Sequence, residues 1–256
     1  VIGKITFEEV KGGRASVAEL LKQLTLDEKV DLLGGQPSTG LANTCGMGNL
    51  PKYKIPNIMT ADGPAGVRIE KEHQVYTTAF PSAIALASSW NTELLEEVGK
   101  AGAVECKMYD FGIWLTPAMN IHRSPLCGRN FEYFSEDPYL TGKIAAAYIN
   151  GVQSNGVGVS VKHFAANSQE VNRMENDSRV SQRALRELYL KGFEIAVKEA
   201  DPWTVMSSYN KLNGEYTQQS HGLLTTVLRD EWGFDGIVMT DWGTKEGTVK
   251  AVKAGN

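Results

Sequence analysis

Carboxylates, cationic side chains and aromatic rings recur in short stretches of this 256-residue chain, each beside an apolar run. In GIVMTDWG (236–243) the run ends in Asp241 and Trp242. A carboxylate placed directly after a buried strand emerges on the rim of a sheet, partly desolvated and held by rigid backbone, which suits a nucleophile or a general base. The competing role is a helix cap, since Thr244, Lys245 and Glu246 could start a helix. Trp242 favours chemistry. An aromatic face beside a carboxylate binds the apolar face of a sugar ring while charged groups bond its hydroxyls.

VSVKHF (159–164) puts Lys162 and His163 at another strand end, on opposite faces if the strand runs regularly. The alternative for His163 is a hydrogen-bonded core histidine; for Lys162 it is an exposed or carboxylate-paired ammonium, because an unpaired buried charge costs too much. The loop NSQEVNR (167–173) is almost entirely hydrogen-bonding groups, and loops after barrel strands are where ligands are held. GRNFEYFSEDP (128–138) and TADGPAGVR (60–68) could be turn chemistry alone, with Asp62 capping its own turn and Arg129 in a surface ion pair. Both follow strand ends on the same side of the inferred sheet, which favours function.

The elements that must position these groups alternate. Ser16 with Glu19 and Thr25 with Glu28 read as capping boxes opening two helices, the second ending at Gly34 and Gly35, and 36–49 reads as a Gly-rich polar loop. Short apolar runs at 55–60, 112–117, 158–163, 203–208 and 236–240 read as buried strands, and 92–109, 140–155, 182–200 and 222–232 as helices. Strand then helix, repeated, means a parallel sheet, either doubly wound or closed into a barrel. Polar groups recur at the ends of several runs (Asn120 to Arg123, Lys162 and His163, Ser207 to Asn210, Asp241 and Trp242), and no G-x-G-x-x-G or Walker loop marks a nucleotide site. That distribution favours a TIM-like (β/α)8 barrel, whose strand ends converge on one mouth.

Composition bounds the partners. With 26 Lys+Arg against 30 Asp+Glu, a net charge of -4 and no cationic run, the chain has no footprint for nucleic acid or an anionic membrane surface. No apolar stretch approaches the roughly 18–20 residues of a membrane span. Cys45, Cys106 and Cys127 are far apart and form no C-x-x-C pair, so no disulfide framework and no zinc site is expected, and a reducing cytoplasm is the default location. Neither a metal nor a cofactor is called for; a small polar ligand is the natural partner.

Taken together, DGPAGVR (62–68), GRNFEYFSEDP (128–138), KHFAAN (162–167), MSSYN (206–210) and VMTDW (238–242) closely resemble the barrel domain of glycoside hydrolase family 3, in particular its β-glucosidases. The resemblance implies that Asp241 is the nucleophile of a retaining mechanism acting on nonreducing-end β-D-glucosyl residues. It implies that Asp62, Arg129, Lys162, His163 and Arg173 hydrogen-bond the sugar, with Tyr209 beside the nucleophile, Met206 and Trp242 lining the site and Arg68 supporting the first turn. Nearby cations are expected to keep Asp241 ionised. The N-acetylglucosamine branch carries a His/Asp pair after Lys-His; 165–170 lacks it, which argues against a hexosaminidase.

In β-glucosidases of this family the acid/base is usually a Glu from a separate α/β sandwich domain. Glu132, Glu136, Glu170 and Glu175 are in-chain candidates, but none matches that position, so the acid/base is expected outside this chain. The expected organisation is an N-terminal extension or linker over 1–15 and a catalytic barrel over 16–256 lacking its last strand, with an open sheet edge that makes the isolated chain poorly soluble. The oligomeric state stays open, a homo-oligomer included. Two other functions compete: a sugar-binding barrel without turnover, and a Schiff-base aldolase using Lys162, which requires an unpaired Lys.

Overall fold

The computed structural model describes residues 4–244 and 247–256. Capping chemistry sets its opening. Ser16 and Thr25 each accept the backbone N–H of the Glu three residues on, and each Glu returns to the cap's own N–H, starting α2 (Val17–Gln23) and α3 (Leu26–Leu33) after a shorter α1 (Phe7–Lys11). The described part of 1–15 is not bare linker: Ile5, Phe7 and Val10 pack on buried Leu20, Leu24 and Tyr53.

β1 (Gly46–Leu50) and β2 (Ile55–Ala61) pair antiparallel. The chain continues through α4 (Ala83–Ala87), α5 (Thr92–Met108), β3 (Ile113–Trp114), α6 (Pro138–Gln153), β4 (Gly158–Phe164) and β5 (Asp177–Ser178). Next, α7 (Gln182–Ala184) runs through a π-helical stretch, Leu185–Tyr189, into α8 (Lys191–Ala200) and β6 (Thr204–Ser207). β7 (Lys211–Leu212), β8 (Glu215–Tyr216), a π-helix at Gly222–Glu231, β9 (Ile237–Thr240) and α9 (Thr248–Ala254) complete the order.

The main sheet runs β1-β2-β3-β4-β6-β9, and from β2 to β9 every neighbouring pair is parallel. β5, β7 and β8 form a separate three-stranded sheet. Each apolar run read as a strand is one, although 112–117 pairs regularly only at Ile113–Trp114, ahead of Pro117, which has no N–H to give. The reading of 36–49 as loop is corrected: β1 begins inside it at Gly46, and its antiparallel pairing departs from an all-parallel barrel. Backbone pairing with β2 makes that strand, because its residues, Gly, Met, Gly, Asn and Leu, carry little strand propensity. No helix among the described residues is long and apolar enough to cross a membrane.

The core fills the space between the parallel strands and their covering helices, with Leu95, Trp114, Ile149, Val159, Phe193, Val205 and Leu228 among its buried members. Close helix approach is set by glycine. A Cβ at Gly151 of α6 would lie 2.1 Å from the Glu96 carbonyl oxygen of α5, and one at Gly99 of α5 would lie 2.4 Å from the Tyr148 carbonyl oxygen of α6. Backbone cannot yield as a side-chain tip can, so Gly151→Ala is expected to cost about 1–3 kcal/mol. The check is a lower urea midpoint at unchanged slope; an unmoved midpoint would show that the two helices separate freely.

Candidate active site

The parallel strands release their polar ends on one side of the sheet. Asp62 follows β2, Lys162 and His163 close β4, Met206 and Tyr209 lie at and beyond the end of β6, and Asp241 follows β9; Arg129 comes from the loop after β3 and Arg173 from the loop after β4. The expectation that Lys162 and His163 face opposite ways is corrected. The pairing of β4 with β6 shifts register between Val161 and Phe164, so period-two alternation fails there and both side chains reach the same group of residues.

Lys162 is only 3% exposed and donates to Asp62 Oδ1 at 2.5 Å. Burial alone would push the Asp62 carboxyl up; the Lys162 charge and hydrogen bond, with the Gly63 N–H and Arg68, outweigh it and hold the group below the usual carboxylate range. Arg68, largely exposed, stands 3.8 Å from Asp62 Oδ2 and 3.6 Å from Glu70. The Asp62 backbone N–H donates to Asn43 Oδ1 at 3.2 Å. An ammonium committed in this way is not the free amine a Schiff-base enzyme needs, and the aldolase reading falls.

Arg129 donates to the buried Glu132 and, through Nη2, meets His163 Nε2 at 3.0 Å. Burial, then the charges of Arg129, Lys162 and Arg173, push the His163 pKa well down, so the ring is neutral and its 3.7 Å approach to Asp241 Oδ2 is not an ion pair. Asn120, itself buried, accepts the His163 N–H and donates to the His163 carbonyl, both at 2.9 Å.

Asp241 is 9% exposed and accepts the Trp242 N–H at 2.7 Å. It caps no helix among the described residues, since the N-cap of α9 is Gly247; Lys245 and Glu246 lie outside them. Burial raises the Asp241 carboxyl above its ordinary value, and the Trp242 N–H, Tyr209, Lys162 and Arg129 only partly offset this. Desolvation therefore sets the direction of the shift, with Lys162 and Arg129 acting against it in favour of the ionised form. The Tyr209 hydroxyl donates to the Trp242 carbonyl at 2.5 Å while facing Asp241; burial first and then that carboxylate push its pKa up, so it keeps its proton.

Arg173 stacks over the Tyr209 ring at 4.8 Å and pairs with Glu170 at 2.9 Å. Met206 is buried with Ile113 and Leu115, and half-buried Met47, Met239 and Trp242 pack on them as an apolar floor. All ten residues singled out from the sequence thus join one connected set of contacts.

Among the four in-chain carboxyl candidates, Glu132 is taken by Arg129 and Glu170 by Arg173 and Asn167; Glu175 is exposed and accepts from the Tyr216 hydroxyl, and Glu136 is exposed. Sequence reading missed Asn43, Asn120 and Tyr133 as site supports. Asn120 carried a signal, standing first in a polar strand end; Asn43, in a featureless polar loop, carried none. His122 and Arg123 of that strand end serve structure instead, His122 meeting the Asn130 and Tyr133 carbonyls and Arg123 covering Tyr189. No group of three or more His, Cys, Asp or Glu among the described residues is placed to hold a metal ion.

Residues 47–255 match the model of the glycosyl hydrolase family 3 N terminal domain. The chain is 54% identical over 250 residues to beta-glucosidase A of Butyrivibrio fibrisolvens, covering 98% of this chain and 30% of that protein. It is 49% identical over 244 residues to an exo-alpha-(1->6)-L-arabinopyranosidase of Bifidobacterium longum, covering 92% and 31%. Among solved structures, beta-glucosidase 3B from Thermotoga neapolitana in complex with alpha-D-glucose superposes with a TM-score of 0.91 at 53% identity, over 94% of this chain and 36% of that one. The chain thus spans about 30% of the length of these curated relatives.

The buried pair makes a pH-dependent prediction. Asp62 has a lowered folded pKa, so its stabilisation is present above the unfolded value of about 3.9 and is lost as pH falls through the folded value. Lys162→Met is expected to cost on the order of 2 kcal/mol near neutral pH, less than a fully buried pair would lose because Asp62 is partly exposed, and this deficit should shrink in acid. Urea midpoints over a pH series test it; a deficit of equal size at every pH would contradict the assigned pairing.

Proposed function

The chain belongs to glycosyl hydrolase family 3, and on that footing we propose that it carries the nucleophile and sugar-binding part of a retaining β-glycosidase that removes nonreducing-end β-D-glucosyl residues. The observation that carries the reading is Asp241, buried at a strand end and ringed by Arg129, Lys162, His163, Tyr209 and Trp242. In this reading residues 16–256 are the greater part of a (β/α)8 barrel. A second α/β sandwich domain or segment supplies the acid/base, about 5–5.5 Å from the nucleophile as retention requires.

Asp241 attacks the anomeric carbon as the leaving oxygen departs, forming a glycosyl-enzyme ester that water then opens. A carboxylate whose pKa burial has raised is the stronger nucleophile once ionised. The Asp62–Lys162 pair and the guanidinium groups of Arg129 and Arg173 bond the ring hydroxyls, and Trp242 and Met206 cover its apolar face. These dipoles and charges are fixed before the ring flattens toward an oxocarbenium ion, so they stabilise it without reorganising. The likeness to an arabinopyranosidase supports a second substrate, an α-L-arabinopyranoside, to be assayed beside the glucoside.

Activated aryl glycosides bypass acid help and separate turnover from mere sugar binding, the competing reading. With such a glucoside, Asp241→Asn is expected to lower kcat/KM at least about 10³-fold. Because Asp241 must be ionised to attack and its pKa is raised, the acid limb of kcat/KM in the parent protein should lie above the ordinary Asp value of about 3.9. Glucose binding without turnover of any aryl glycoside would overturn the hydrolase reading in favour of a binder.

A further inference from the structure

The ring of His163 is enclosed, and its neighbours decide where its proton sits. On one edge, Nε2 lies 3.0 Å from Arg129 Nη2. A guanidinium only donates, so Nε2 must present its lone pair. The single proton of a neutral imidazole is then on Nδ1, and Nδ1 faces the Tyr133 hydroxyl oxygen at 3.4 Å. Tyr133 is fully buried, its ring stands edge-on to the imidazole with centroids 6.3 Å apart, and its oxygen also meets Asn167 Nδ2 at 3.4 Å. The reciprocal bonds from Asn120 fix the backbone that carries the ring.

We infer that Tyr133 is a positioning residue: by accepting the Nδ1 proton it acts together with Arg129 to hold His163 in the tautomer whose Nε2 lone pair faces Arg129 and Asp241. The tautomer rests on geometry alone, and its consequence for catalysis rests on the glycosidase reading above. The groups facing the imidazole are Arg129, Lys162, Arg173, Tyr133 and Asp241; those facing Asp241 are His163, Tyr209, Lys162, Arg129 and the Trp242 N–H. With Nε2 unprotonated, His163 gives the nucleophile no hydrogen bond despite standing 3.7 Å away, so the carboxylate keeps its basicity. An Nε2–H tautomer would donate toward Asp241, stabilise its charge and weaken it as a nucleophile.

Long-range proton–nitrogen correlation spectra of the intact protein labelled with nitrogen-15 histidine read the tautomer directly, and His163→Gln identifies the resonance among the histidines. The expected parent spectrum shows His163 protonated at Nδ1 only. In Tyr133→Phe the Nδ1 proton loses its acceptor, so an Nε2–H population should appear and, with an activated aryl β-glucoside, the acid limb of kcat/KM should move to lower pH with a fall of about tenfold, mainly in kcat. A parent His163 protonated at Nε2 would overturn the inference even if the variant failed to fold. So would a folded Tyr133→Phe with unchanged tautomer and acid limb. If the parent protein hydrolysed no glycoside, the functional reading would fail while the spectrum still decided the tautomer.

Discussion

Lys162 has almost no water left to solvate its charge, and the site is arranged around that fact. An ammonium at this depth is tolerated only with a carboxylate against it, and Asp62 provides one at 2.5 Å. The two residues leave β4 and β2, which are not neighbours in the sheet, so the pair spans the intervening β3 and fixes the distance between two strand ends. Asn43 then holds the Asp62 backbone, and the shifted register after Val161 brings His163 into the same volume. Asp241, arriving from β9, meets a field already set by Lys162, Arg129 and a neutral histidine.

The order of strands and helices was legible because burial writes itself into composition: runs such as VSV and TVM have only one way to be hidden between helices, whereas IVMT, on the end strand β9, keeps Ile237 exposed. Asp241 and Lys162 were legible for the complementary reason that a charged residue at the end of such a run must emerge at the sheet's rim. What could not be read was anything decided by backbone pairing alone. β1 owes its existence to β2, and the short β5, β7 and β8 theirs to one another.

The direction of the Asp241 shift could not be read either. Sequence shows which charges are near in kind but not how much water has been removed, and here desolvation outweighs Lys162 and Arg129. The same burial that raises Asp241 depresses His163, driving both groups toward their neutral forms. Tyr133 stayed hidden among the aromatics of its motif because its role depends on which ring edge it faces. Of the four Glu residues considered for the acid/base role, Glu132 and Glu170 are committed to Arg129 and Arg173 and Glu136 and Glu175 stand exposed, which fits the proposal that another segment handles the leaving group's proton.

Trapping tests the proposed bond between Asp241 and the sugar most directly. The protein carrying this chain would be incubated with a 2-fluoro-2-deoxy-glucoside bearing a good leaving group, alongside Asp241→Asn, and both would be weighed intact and then digested. One added fluoroglucosyl mass is expected, located on the peptide that contains Asp241 and missing from the variant. An unlabelled parent protein, or a label on a different carboxylate, would contradict it.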